Sequence, residues 1–175
     1  SVVRAEGESY RLALRDGDTV DVAEFLMLAD VPAGADGHER LSRLLGAERA
    51  YAGPLYPEWP YAEWAEGRRR EVDSTYARLL GSLAATLMES GRSSEAIRRL
   101  EQLAVLEPER EDVHRSLMSA YARAGERALA LRQYHACRTV LRRELGIEAS
   151  AETRATYQRI LEDEPLPSDA VVLRI

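Results

Sequence analysis

Arg115, Ser119 and Arg123 follow one another at four-residue intervals in this 175-residue chain. Eight residues of helix make a little over two turns, so both guanidiniums face nearly the same way. A guanidinium offers a planar fork of N–H donors that matches a carboxylate, and a pair of them reads as a grip for an acidic segment or a chain terminus. Ser119 is small enough to leave room for an inserted chain. Asp112 stands about one turn before Arg115 and is placed to hold it when no partner is bound. Arg78 belongs to the same kind of surface one helix pair earlier, beside small Gly81 and Ala85 and next to Met88. The chemistry these residues support is recognition, in a groove that is alternatively only solvated or filled by the protein's own N-terminal helices.

A second candidate is the basic run Arg68, Arg69, Arg70 in "EGRRREVD". It reads either as a patch for phosphate or an acidic partner, or as a solvated helix face neutralised by Glu66, Glu71 and Asp73; the second reading is favoured. Trp59, Tyr61 and Trp64 form either a ligand cage or, the favoured reading, anchors that fasten a proline-rich loop to the core. Cys137 is the only cysteine and sits at an apolar helical position, which suits a structural thiol. His38, His114 and His135 lack ligand spacing and acidic company, so no metal site is expected. No arrangement resembling a catalytic triad occurs, nor a G-x-x-x-x-G-K phosphate loop. The chain is therefore read as a non-enzyme without a cofactor.

Composition agrees with that class. The chain is 45% hydrophobic and 31% charged, with a formal net charge of −6. These values fit a globular protein that gains little from neutralising phosphates, so direct DNA binding is not expected. No apolar run approaches the ~18 residues of a membrane span. A single cysteine fits a reducing cytoplasm. The opening "SVVRAEG" looks like the continuation of a longer chain.

The elements that position these residues show in the spacing. "VVRAEGESYRLAL" reads as a β-hairpin turning at Gly7, and "RDGD" (15–18) as a turn. Helices are expected over 21–29, with Asp21 as N-cap, and over 38–51. "AGPLYPEWP" (52–60) is a loop, and a long helix over 61–90 has a candidate kink at Gly67. Further helices follow over 93–106, 109–124, 126–145 and 150–162. Gly91, Gly125 and Gly146 punctuate them where a helix end requires a left-handed residue. The key regularity is a 34-residue period. Gly91 matches Gly125, Leu83 matches Leu117, Ala84 matches Met118, Leu87 matches Tyr121, Ala96 matches Ala130, Leu100 matches Tyr134, and Leu103 matches Cys137. A helix-turn-helix repeat of that length is the tetratricopeptide period. The fold expected is all-α, a tetratricopeptide-like helical bundle with a short N-terminal β-hairpin. Residues 150–162 would close the last pair, and the helices over 21–51 would complete the core.

The stretches "AGPLYPEWPYAEWAEGRRREVDSTYARLLGSLA" and "HRSLMSAYARAGERALALRQYHACRTVLRRELGIEASAET" closely resemble the bacterial transcriptional activator domain of antibiotic-pathway regulators, over about residues 21–160. In that family the module follows a winged helix-turn-helix DNA-binding domain, whose wing ends in a pattern similar to R-G-x-G-Y-x-L. "RAEGESYRL" (4–12) resembles such an end, although Glu6 and Glu8 put acid at its tip and Ser9 replaces a glycine. The resemblance implies residues 1–15 as the remnant of that winged-helix domain, 16–163 as the activator domain, and 164–175 as a tail or linker. It implies a regulatory, protein-interaction module with the neighbouring DNA-binding domain, a second protomer or another protein of the transcription machinery as partner. The alternatives are a peptide-binding tetratricopeptide scaffold unrelated to transcription, and a sensory module for a small ligand.

Overall fold

A computed structural model describes residues 3–7, 9–12 and 20–166. The turn read at 15–18 and the tail beyond residue 166 lie outside them. Ahead of the helices, β1 (Val3–Glu6) pairs antiparallel with β2 (Ser9–Leu12), Glu6 opposite Ser9.

The body of the protein is helical. Its α-helices are α1 (Asp21–Ala29), α2 (Gly37–Ala50), α3 (Glu63–Glu89), α4 (Ser93–Leu106), α5 (Glu111–Arg123), α6 (Arg127–Val140) and α7 (Ala151–Leu161). α3 packs along α4 and α5 along α6, while α4 also meets α5. α1 and α2 form a further pair laid against α3, and α7 closes the other end against α5 and α6. This is the consecutive packing of a helical solenoid, in which each pair covers its neighbour's apolar face.

The 34-residue period recurs in the backbone. At the end of α3 the Arg92 N–H reaches the Leu87 carbonyl at 2.8 Å, and Gly91 N–H reaches Met88 at 3.0 Å. Thirty-four residues on, Glu126 N–H reaches Tyr121 at 2.8 Å and Gly125 N–H reaches Ala122 at 3.1 Å. Both are Schellman endings, and both require a left-handed residue, met by Gly91 at φ 72° and Gly125 at φ 80°. The packing face repeats as well. Leu83, Ala84, Leu87, Ala96, Leu100 and Leu103 are buried in one unit, and Leu117, Met118, Tyr121, Ala130, Tyr134 and Cys137 in the next. Phe25, Leu44 and Ala47 bring the α1–α2 pair into the same core.

The details depart from expectation in three places. α1 is capped by Val20; Asp21 is the first helical residue and its carboxylate accepts from the Val22 N–H. α3 is unbroken through Gly67. The helix expected over 126–145 changes at Leu141 into a π-helical turn, Leu141–Leu145. A π turn takes one residue more than an α turn and shifts the register beyond it. Leu141 therefore stays in the core while Leu145, which regular spacing would have placed beside it, is 52% exposed.

Candidate functional site

The stripe on α5 is built from inside the bundle. α5 has α4, α6 and α7 as neighbours, so most of its circumference is covered. Ser119 accordingly lies fully buried and lines no groove. Arg115 is turned toward α7: its Nη1 donates to Thr153 Oγ1 at 3.2 Å, and Nη2 lies 3.6 Å from Glu152 Oε2. Asp112, expected to hold Arg115, is engaged by Arg110. Its carboxylate accepts from Arg110 at 3.1 and 2.6 Å, and Arg110 also donates to Glu107 at 2.6 Å. These two carboxylates, Asp112 first, raise the Arg110 pKa above the usual arginine range.

The expected single groove is three separate hollows. Arg115, Glu111 and Asp112 border one of about 440 Å³ with Ser150 and Glu152. Arg123 is exposed and borders one of about 370 Å³ with Arg127, Asp163, Glu164 and Leu166. Arg78 donates to Thr75 Oγ1 at 3.0 Å and borders one of about 260 Å³ facing Asp30, Val31 and Arg40 of the α1–α2 pair. Arg78 and the α5 arginines thus serve different surfaces.

The basic run is engaged within the protein. Arg69 fans its guanidinium across three carbonyls of the proline loop: Leu55 at 3.3 Å, Pro60 at 3.0 Å and Trp59 at 2.9 Å. Arg68 pairs with Glu71 at 2.7 Å and Arg70 with Glu66 at 3.5 Å. Satisfying loop carbonyls is work for a forked donor, and Arg69 fastens the loop where aromatic anchors were expected. The aromatics face outward instead: Trp59 is 59%, Tyr61 95% and Trp64 69% exposed.

The buried candidates are structural. His114 Nε2 lies 2.8 Å from the Pro108 carbonyl, and its Nδ1 lies 2.6 Å from the Gln133 amide nitrogen. A neutral imidazole protonated at Nε2 satisfies both neighbours. Burial holds its pKa below the ordinary value, against the opposing pull of the Pro108 carbonyl, Glu111 and Asp112. Burial likewise pushes the Cys137 thiol up to about 12, so it stays protonated and unreactive. Among the described residues, no three or more His, Cys, Asp or Glu side chains are placed to hold a metal ion. No helix among them is long and apolar enough to cross a membrane.

Several connecting residues escaped sequence reasoning. Glu111 accepts from the Ser150 N–H at 2.8 Å, and Ser150 caps α7 by accepting from the Thr153 N–H. Burial raises the Glu111 pKa, but hydrogen bonds from Thr153 and Ser150 outweigh it and leave the carboxyl below its ordinary value. Arg43 donates to the Met27 and Asp30 carbonyls at the end of α1, and Arg127 to the Ile160 and Leu161 carbonyls at the end of α7. Glu48 of α2 and Arg99 of α4 form a bidentate pair at 2.9 and 2.8 Å. The helix signal of Ser150 followed by Thr153 was legible; partners 51 residues apart were not.

Comparison with known proteins adds an independent line. The family described as bacterial transcriptional activator domain matches residues 20–161. The transcriptional regulatory protein MoaR1 of Mycobacterium tuberculosis is 27% identical over 179 residues, which cover 100% of this chain and 57% of MoaR1. The transcriptional regulatory protein EmbR of the same species is 31% identical over 169 residues, 94% of this chain and 43% of EmbR. The regulatory protein AfsR of Streptomyces griseus is 31% identical over 113 residues, 59% of this chain and 12% of AfsR. A solved structure of M. tuberculosis EmbR in complex with a low-affinity phosphopeptide superimposes with a TM-score of 0.71 at 27% identity, covering 97% of this chain and 45% of that one. The chain thus spans about half the length of MoaR1 and of EmbR.

Proposed function

The chain belongs to the bacterial transcriptional activator domain family, and from that premise we propose that it is the regulatory, protein-interaction module of a transcriptional regulator, working in the cytoplasm beside a DNA-binding domain. On this reading residues 1–15 are the end of a winged-helix domain, 16–163 the interaction module, and 164–175 a tail or linker. The module does not read bases and catalyses nothing. It positions the DNA-binding domain and meets a second protomer or a protein of the transcription machinery. One observation carries this reading: the family match runs unbroken through the α1–α2 pair, both 34-residue units and the closing helix, 20–161. The surface arginines Arg78 and Arg123 are the partner contacts, each at the rim of its own hollow. Arg115 and Asp112 border a hollow of their own, and Ser119 is buried in the packing of α5.

The test tethers the chain to an unrelated DNA-binding domain upstream of a reporter. Activation above the tethering domain alone is expected, and loss of most of it in an Arg78→Ala/Arg123→Ala variant whose melting is unchanged. In parallel, the chain alone should bind duplex DNA only weakly and without sequence preference at physiological salt. Submicromolar, sequence-specific binding by the chain alone overturns the assignment.

A further inference from the structure

The proline loop presents an aromatic cluster that neither the core nor the surfaces above account for. Trp59, Tyr61 and Trp64 are each more than half exposed, and Tyr56 joins them at 39%. Large aromatics stranded together in water mark interaction surfaces. The rings lean on one another without closing: Tyr56 and Trp64 have centroids 5.0 Å apart at 55°, and Trp59 and Trp64 6.5 Å apart at 57°. Tilted rings leave π faces open. Tyr56 is held at φ 52°, a left-handed conformation unusual for a bulky residue. Arg69 pins the loop from below through three carbonyls, so the cluster stands on a fixed platform.

Charge decides what fits there. Residues 56–66 carry Glu58, Glu63 and Glu66 and no basic residue. The adjacent cations do not neutralise the whole stretch: Arg69 is turned into the loop, Arg68 pairs with Glu71, and only Arg70 reaches Glu66. Open π faces in a stretch whose own charged side chains are all carboxylates attract guanidinium and ammonium groups, by cation–π contact and by ion pairing together. The same carboxylates repel an anionic lipid surface or a nucleic-acid backbone. We propose that Tyr56, Trp59, Tyr61 and Trp64, with Glu58 and Glu63, form a docking surface for an arginine-rich basic segment of a partner protein. The surface lies apart from the rims of Arg78 and Arg123, and the inference stands whatever occupies those.

The chain's two tryptophans both lie in this cluster, so emission excited selectively from tryptophan reports on the cluster alone. An oligoarginine peptide titrated into the full chain should quench or shift that emission saturably, and an oligoglutamate peptide should not. With a fluorescently labelled oligoarginine, Trp59→Ala/Trp64→Ala should lower affinity by about ten-fold or more, the scale of losing two cation–π contacts. Glu58→Gln/Glu63→Gln, which keeps the rings, should lower it several-fold and flatten its salt dependence. Melting of both variants should match the parent, since every substituted side chain is exposed. Four results overturn the proposal: no spectral change, binding indifferent to the two tryptophans, tryptophan-dependent self-association of the chain instead of peptide capture, or preferential binding to anionic vesicles.

Discussion

His114 is the residue at which acidity reaches the core. Its ring is buried as a neutral group between Pro108 and Gln133, with its pKa below the ordinary value of about 6.5. The unfolded chain takes up a proton as the pH falls below that value, and the native chain does not. Stability is therefore intact above about pH 6.5 and declines as the pH falls toward the folded-state pKa, by up to ~1.4 kcal/mol per pH unit. Thermal melts between pH 7 and 5 should show that decline, and His114→Leu, which installs the residue found one repeat earlier at Leu80, should flatten it. An equal slope in the variant would place the acid sensitivity elsewhere. The neighbouring packing seam gives a second prediction. Ala96 and Ala130 are both fully buried at matching positions where the paired helices approach closely. Ala130→Leu should overfill the site and cost roughly 1–3 kcal/mol, read as a lower denaturation midpoint at unchanged m-value.

Among the elements, α3 contains an avoidable weakness. Gly67 lies in its second turn, exposed, with no atom outside the local helix backbone within 4 Å of where a Cβ would stand. Its backbone is helical, so the freedom of glycine serves no purpose in the folded state and costs entropy on folding. Gly67→Ala should raise stability by about 0.5–1 kcal/mol; no gain in the melt would mean that α3 bends locally there in solution. The repeat itself was legible because its two units share positions that physics fixes: a left-handed glycine after the first helix, a small residue at the crossing, large apolar residues along one face. What local spacing could not reveal were features set by distant partners. The π turn at Leu141–Leu145 leaves the apolar pattern almost unchanged yet moves Leu145 outward. Ser119 looked like groove because spacing along one helix cannot say that α4, α6 and α7 surround it. The aromatics were read as anchors since exposure follows from what Arg69 does to the loop, and Arg69 reads in sequence as one of three equivalent charges.

At the scale of the whole molecule the question is whether the α1–α2 pair is part of the stack or an attachment to it. Its apolar side chains enter the common core: Phe25 meets Tyr51, and Tyr51 stacks on Tyr76 of α3 with centroids 3.7 Å apart. Beside that stack, Glu48 and Arg99 bind α2 to α4 through two hydrogen bonds, with side chains only 22% and 15% exposed. The Glu48 hydrogen bond raises the Arg99 pKa against the effect of burial, so the guanidinium stays charged throughout the physiological range. A pair this shielded and bidentate should couple more strongly than a surface ion pair. A double-mutant cycle of Glu48→Ala and Arg99→Ala should give a coupling energy of roughly 1–2 kcal/mol, against well under 1 for Arg70 with Glu66. Because the contact joins the first helix pair to the second, the chain should unfold as one unit. Denaturation followed by tryptophan emission, which reports the loop between α2 and α3 and the first turn of α3, should coincide with denaturation followed by far-ultraviolet circular dichroism, which reports all the helices. Separated transitions in the parent, or a negligible coupling energy, would mean that the α1–α2 pair is an independent attachment to a two-repeat solenoid.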